Sequence, residues 1–549
     1  MTDTLKLLRV TAPCAAFMLL TACGGGGSSA SSPGVTTYTV NIPVATGGTV
    51  SPVTFVVAAG GTATFTVTAN SGYVVSSVSG CGGSLSGNTY TTGAINANCV
   101  VTASFSAAFT WVAGPNTTDA TGVYGTPGVA AAANVPGSRD GGATWTDANG
   151  NLWLFGGFAG YANAKNPATG NFMNDLWEYS PASGEWTWVG GSNAACSQAV
   201  YGTQGMAAAA NVPGPRTATT SWTDSSGDVW LFGGGGCDST GTFLLYDDLW
   251  KFSPSSGEWT WVGGSTANYA NGVYGTEGVA APANMPGGRA GFARWTDASG
   301  NLWLFGGDGY DNSTSVLSEQ NDLWEYSPAS GEWTWMGGSD TYDASGVYGA
   351  QGAAAAANVP GARSGALNWT DAKGNFWLFG GIGWDSTGSR GELNDLWEFS
   401  PSAGEWTWVS GSNIANPTGV YGTEGVTAST NVPSARDSGA AWMDTSGNLW
   451  LFGGEGYLVS TRYYHRLNDL WKYSPASGEW TWVAGSDTFD ATGVYGTRGA
   501  AAVANVPGAR AAMATWQDSS GTWIFGGYTF DDPTNTRFEM NDLWEYPTQ

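Results

Sequence analysis

The chain has 549 residues, enough for more than one domain, and it is strongly acidic: 18 Lys+Arg against 43 Asp+Glu give a formal net charge of -25. No basic patch or run exists, and this excludes nucleic acid as a partner, because phosphate neutralisation dominates that affinity. Charged residues make up only 11% of the chain, yet Trp numbers 30, a count that some repeated unit has to explain.

In chain order, residues 1–22 read as an export signal. Lys6 and Arg9 precede an apolar run from Val10 to Leu20, too short to span a membrane. The following Leu20-Thr21-Ala22-Cys23 resembles a bacterial lipobox, which implies Cys23 as the lipidated first residue of the mature chain. Gly24 follows it where Asp would mark inner-membrane retention, so the resemblance points to an outer-membrane or cell-surface lipoprotein, held to the membrane by its lipid alone. Residues 23–36 form a Gly/Ser tether. Residues 37–106 are expected to form a small β domain with alternating strands such as Ala63–Val67 and Val100–Phe105. Its G-G-T-V-S-P at 47–52 and S-G-Y-V-V at 71–75 resemble the short repeat modules of bacterial surface proteins, which implies a spacer.

From residue 109 to 549 one block recurs. Arg139, Arg216, Arg289, Arg363, Arg436 and Arg510 open successive copies at intervals of 77, 73, 74, 73 and 74 residues. The first copy contains four strand-like runs: 141–146, 151–155, 175–179 and 185–189. They are short and rich in Trp, Phe, Tyr, Leu and Val, and Gly, Pro, Asn, Asp and Ser punctuate them. No segment carries sustained helical periodicity, although the Ala-rich piece 130–134 could make one helical turn. Four antiparallel strands per unit in a radial array describe an all-β propeller.

The motifs L-F-G-G at 154–157, N-D-L-W-E-Y at 174–179 and G-E-W-T-W at 184–188 resemble the kelch repeat, and each recurs in the later copies. The resemblance covers about four fifths of the chain and implies a six-bladed kelch-type β-propeller. It departs from the usual unit by an added segment carrying Val-Tyr-Gly-Thr (123–126) and Asn-Val-Pro (134–136). The sixth copy stops before its fourth strand, and Phe109-Thr110-Trp111-Val112 matches the missing W-T-W-V. An N-terminal strand is therefore expected to close the ring and remove its open edge.

Six Cys are present. Cys14 leaves with the signal, Cys23 takes lipid, and Cys81 and Cys99 share the small domain and are expected to pair. Cys196 and Cys237 fall in loops that emerge on one face of adjacent blades, so a disulfide between them is geometrically allowed. A thiolate metal site would need four Cys at ligand spacing, and none is expected. Each complete unit carries five Trp at fixed register, which favours packing between blades over a sugar platform. The six repeated Arg are expected to brace loops or pair with carboxylates.

Several apparent motifs dissolve on comparison between copies. The Asp-box pattern at 138–145 is lost at 289–295 and 510–516, and the calcium-loop hint at 147–151 falls in a repeated hairpin turn. Galactose oxidase carries a copper-radical site on a kelch-type propeller. That site needs two imidazoles, and the sequence has one, His465, so oxidase chemistry and a copper cofactor are excluded. His465 itself is expected in an exposed variable loop.

Function should lie where the copies differ, in the segments between second and third strands: 158–173, 235–246, 308–320, 382–393, 455–467 and 528–540. Their candidate ligand-binding residues are Tyr161, Phe243, Tyr310, Trp384, Glu392, Tyr457, Tyr464, His465 and Phe530. The expectation is a monomeric, non-enzymatic binding or scaffold lipoprotein that engages glycan or protein at the cell surface without a cofactor. The alternative is a polysaccharide hydrolase or lyase that uses a loop carboxylate pair such as Glu319 with Glu392 or Glu455.

Overall fold

The computed structural model describes residues 34–160, 170–266, 269–311, 316–458, 460, 462–531 and 536–548. The export signal, Cys23, most of the tether and Tyr161 lie outside these residues. The described residues are all-β with no helix. The Ala-rich segment expected to make a helical turn is instead a bridge and a turn. Ala131 bridges Trp186, and the Asn134 amide donates to Val129 O and Trp186 O, which ties the backbone across to a strand.

The described residues form two compact units. The smaller comprises those up to Val44 with 50–67 and 78–102, and the larger comprises 45–49, 68–77 and 103 onward. In the smaller unit, Thr37–Asn41 pairs antiparallel with Thr54–Ala58 and parallel with Cys99 and Val100. Residues 64–67, the part of strand Thr64–Ala69 that lies in this unit, alternate exposed and buried, as a half-buried strand must. Phe65 and Val67 join Val40, Tyr90 and Val101 in its core. Cys81 and Cys99 are disulfide-bonded.

The larger unit repeats one four-strand antiparallel motif six times. In the first copy Ala143–Thr146, Leu152–Phe158, Phe172–Ser180 and Glu185–Gly190 pair in that order. The second strand is buried on both faces and the fourth is mostly half-buried. Asp147 closes the first hairpin: its Oδ1 accepts the N–H of Asn149 and Asn151, and its Oδ2 accepts from the Trp153 indole at 3.1 Å. The residues that hinted at a calcium loop are thus consumed by the turn. At the Gly-Gly pair the register slips, and a Cβ on Gly156 would sit 2.7 Å from the Arg216 carbonyl oxygen. Glycine is required there because the backbone of the next sheet approaches so closely.

The sixth sheet takes its fourth strand from far upstream: Thr110–Ala113 pairs with Leu543–Pro547, with Trp111 opposite Trp544. Neighbouring sheets bury their Trp, Phe and Leu against each other. The sixth does the same against the first, where Trp516, Trp523 and Phe525 meet Leu152, Leu154 and Trp177. A cycle of backbone bonds runs through all six sheets. The N–H of Gly141 donates to Ala512 O (2.8 Å), Ala512 to Ser438 O (2.7 Å) and Ser438 to Gly365 O (2.8 Å). Gly365 donates to Gly291 O (2.8 Å), Gly291 to Ala218 O (2.9 Å) and Ala218 back to Gly141 O (2.8 Å). All six residues hold φ between 48° and 66°, the left-handed region, although three are not glycine.

Candidate functional site

The six repeated Arg are structural. Arg139 grips Asp175 with both terminal nitrogens (2.6 and 2.8 Å), and its Nε and Nη1 also donate to the Gly137 and Gly156 carbonyls. The same carboxylate accepts from the Tyr124 hydroxyl and the Trp177 indole, both at 2.7 Å. Tyr124 belongs to the added Val-Tyr-Gly-Thr segment, so that insertion is tied to the core by this bond. The arrangement recurs with Arg216–Asp248, Arg289–Asp322, Arg363–Asp395, Arg436–Asp469 and Arg510–Asp542. Each pair is buried and bidentate, with its lone pairs satisfied, which leaves nothing for an external anion.

Beyond the Gly-Gly bulge, the segments expected as loops are largely strands. Leu302–Asp311 pairs with Val316–Ser327, Phe376–Trp384 with Arg390–Ser400, and Leu449–Leu458 with Tyr463–Ser474. Backbone pairing continues through these hairpins because it needs no repeated side chain, only an alternation that the bulge leaves intact. They hold Tyr310, Trp384, Glu392, Tyr457, Tyr464 and His465 on paired strands.

The first pairs beyond the bulge divide by chemistry. Phe158 faces Phe172 and Gly235 faces Leu245. Together with Phe243 and the Cys196–Cys237 disulfide, the Phe side chains make an apolar patch. The next four pairs each carry a charged residue: Asp308 with Glu319, Ile382 with Glu392, Glu455 with Arg466, and Tyr528 with Glu539. Three arginines neutralise most of these acids. Arg390 binds Glu319. Arg466 binds Glu455 at 2.6 Å, and Tyr528 donates to the same carboxylate at 2.5 Å. Arg537 binds both Asp140 and Glu539.

One acidic pair has no such cation. Glu392 is fully buried, and no N–H or hydroxyl reaches either of its oxygens among the described residues. The group in hydrogen-bonding reach is the carboxyl of Asp437. Two carboxyls can bond only if one carries a proton, so the pair holds a proton near neutrality. Desolvation, then the charges of Asp437 and Glu455, raise Glu392 well above the usual carboxylate range. Desolvation and Glu455 push Asp437 up to about 7. Among the residues that directly follow the repeated Arg, Asp occurs only at 140 and 437, the one sequence signal that could have singled this pair out.

The other predicted residues are distributed over the same hairpins. The Trp384 indole donates to Asp343 (3.0 Å) and Glu319 (3.3 Å). Tyr457 and Tyr464 are register partners with ring centroids 5.4 Å apart, and Tyr464 is 38% exposed. Tyr310 packs on Tyr269 at 4.4 Å, Phe243 packs on Phe172, and Phe530 lies under the Arg466 guanidinium at 3.7 Å. His465 corrects the expectation of an exposed loop. It lies on strand Tyr463–Ser474, is buried, and bonds Asp490 through Nδ1 beside the Phe489 ring. Glu319 and Glu455, two of the acids considered for hydrolysis, are each engaged by an arginine. Among the described residues no group of three or more His, Cys, Asp or Glu is placed to hold a metal ion.

No protein-family model and no curated protein matches the chain. Among solved structures, "Structure of YjhT" is similar over 76% of this chain and 95% of its own, at 15% identity and a TM-score of 0.44.

Proposed function

We propose that the six sheets are the blades of a kelch-type β-propeller closed by Thr110–Ala113, and that the protein is a non-enzymatic glycan receptor. It would be anchored at the cell surface through Cys23. The two disulfides fit an extracellular or periplasmic location, where thiols are oxidised. The hydrogen-bond cycle and the packing of the sixth sheet on the first support the closed ring.

The observation that carries the binding reading is the state of the hairpin face. Most of its acids are held by arginines or locked in a buried pair, while Trp384, Tyr457 and Tyr464 keep part of their ring surface exposed beside them. Sugar rings stack on such surfaces, and the fixed carboxylates and guanidinium groups supply hydroxyl partners. Glycoside hydrolysis asks instead for two accessible carboxyls at about 5–10 Å across the scissile bond. Glu392 and Asp437 touch and are buried.

The test is a glycan array with the full mature chain, repeated with Trp384→Ala and Tyr464→Ala. Selective binding that drops at least tenfold in each variant, with no product released from the bound glycan, is the expected result. Turnover of that glycan would replace this reading with the hydrolase, and a blank array would move the face to a protein partner.

A further inference from the structure

The first strands of all six sheets line a cavity of about 560 Å³. A second cavity of about 260 Å³ meets it at Thr144, Arg294, Asn368, Ala441 and Thr515, which line both. Five residues after each repeated Arg, the copies carry Thr144, Ser221, Arg294, Asn368, Ala441 and Thr515. Five of these are small or neutral and one is a full cation.

Among the described residues the Arg294 guanidinium makes one hydrogen bond, from Nη1 across to Thr220 Oγ1 of the neighbouring sheet at 2.5 Å. Among the described residues no carboxylate lies within 4 Å of it, in a chain with 43 acids and only 18 Lys+Arg. Every repeated Arg, by contrast, has its own Asp. Arg294 is half-buried in the cavity wall, and desolvation with no offsetting charge lowers its pKa to about 10, which leaves it a cation at neutral pH. Guanidinium has five N–H donors in a planar fork, which fits two oxygens of a carboxylate or phosphate at once. Around it the cavity wall is polar: Thr144, Ser221 and Asn368 donate to the Thr515, Thr144 and Arg294 carbonyls, and the buried Thr515 hydroxyl has no partner among the described residues.

We propose that the central cavity is an oxyanion-binding site with Arg294 as its anchor. Its ligand is a small phosphate-type anion or the carboxylate of a sugar acid, the two sources of one chemistry. The site is separate from the hairpin face and does not depend on the glycan reading given above.

The test uses the full mature chain and an Arg294→Thr variant, since Thr occupies the equivalent place at 144 and 515. Melting is followed by Trp fluorescence in sodium phosphate or sodium glucuronate, with sodium chloride holding the ionic strength constant, and affinity is measured by calorimetry. The expected result is a saturable rise in Tm of about 1–3 °C in the native chain, absent in the variant, with at least a tenfold loss of affinity. A response to phosphate alone would identify a free inorganic anion, and a response to glucuronate alone a sugar acid; either supports the site. No response from the native chain, or an equal response from Arg294→Thr, overturns it. If Arg294→Thr does not fold, Arg294→Lys decides: it keeps the charge without the fork, and unchanged affinity there overturns the assignment of Arg294.

Discussion

Glu392→Gln isolates the acidic pair of the hairpin face that lacks a cation. In the unfolded chain both acids titrate near pH 4. In the folded chain burial raises both, with Asp437 pushed up to about 7, while Arg390 and Arg466 pull in the opposite direction and Tyr464 lies alongside. Between about pH 4 and 7 the folded protein therefore holds a proton that the unfolded chain has released, and stability must fall as pH rises through that window. Moving Asp437 alone from near 4 to about 7 corresponds to roughly 4 kcal/mol, and the raised Glu392 carboxyl adds to the loss in the same direction. Gln would donate its N–H to an ionised Asp437 and needs no shared proton. Urea unfolding of both chains, followed by Trp fluorescence from pH 5 to 8, reads the difference. Asp140, Asp308 and Glu539, whose pKa values are also raised by burial, are common to both chains and cancel. Glu392→Gln is expected to match or fall below the native chain at pH 5 and to exceed it by about 1–3 kcal/mol at pH 8. Parallel profiles, or a variant less stable at pH 8, would refute the shared proton.

Deleting residues 109–114 removes the strand opposite Leu543–Pro547 and the buried Phe109 that packs on Phe452, Trp544 and Tyr546. Losing a buried Phe alone costs about 3–5 kcal/mol, and the exposed edge adds to it, so the apparent Tm should fall by about 10 °C or more; a melt like that of the native chain would sink the closure. Asp322→Asn leaves Arg289 buried without its counter-charge and should cost about 3–5 kcal/mol in urea unfolding. A loss under about 1 kcal/mol would show that the repeated ion pairs are not what holds each sheet's edge.

Much of the architecture is legible because the chain states it six times. Position-by-position repetition of Trp145, Trp153, Trp177, Trp186 and Trp188 marks those residues as packing, and four of the five are buried. The match of Phe109–Val112 to W-T-W-V points to the strand that pairs with Leu543–Pro547. The same reliance on repetition hides the site. The hairpins past Gly-Gly look like loops because their side chains never recur, yet their backbones pair as strands. Nothing in the sequence around His465 reveals that Gly456 stands opposite it on a paired strand. The left-handed cycle is obscured because its positions alternate unpredictably between Gly141, Gly291, Gly365 and Ala218, Ser438, Ala512. Arg294 escapes notice for the opposite reason: among six conspicuous repeated arginines, one that occurs in a single copy does not stand out.

The pairing of Trp111 with Trp544 also imposes an order of events. Strand Thr110–Ala113 is synthesised long before its partner Leu543–Pro547, and until that partner arrives its backbone edge is bare and its neighbour Phe109 lacks the rings of Trp544 and Tyr546. Each internal sheet can assemble from consecutive residues as it emerges, but the last cannot be completed before Leu543–Pro547 has been made. Such a chain is exposed to misassociation for the full time of its synthesis and transit. Truncated products that end before Leu543 should accordingly be lost to proteolysis or aggregation instead of accumulating as stable fragments.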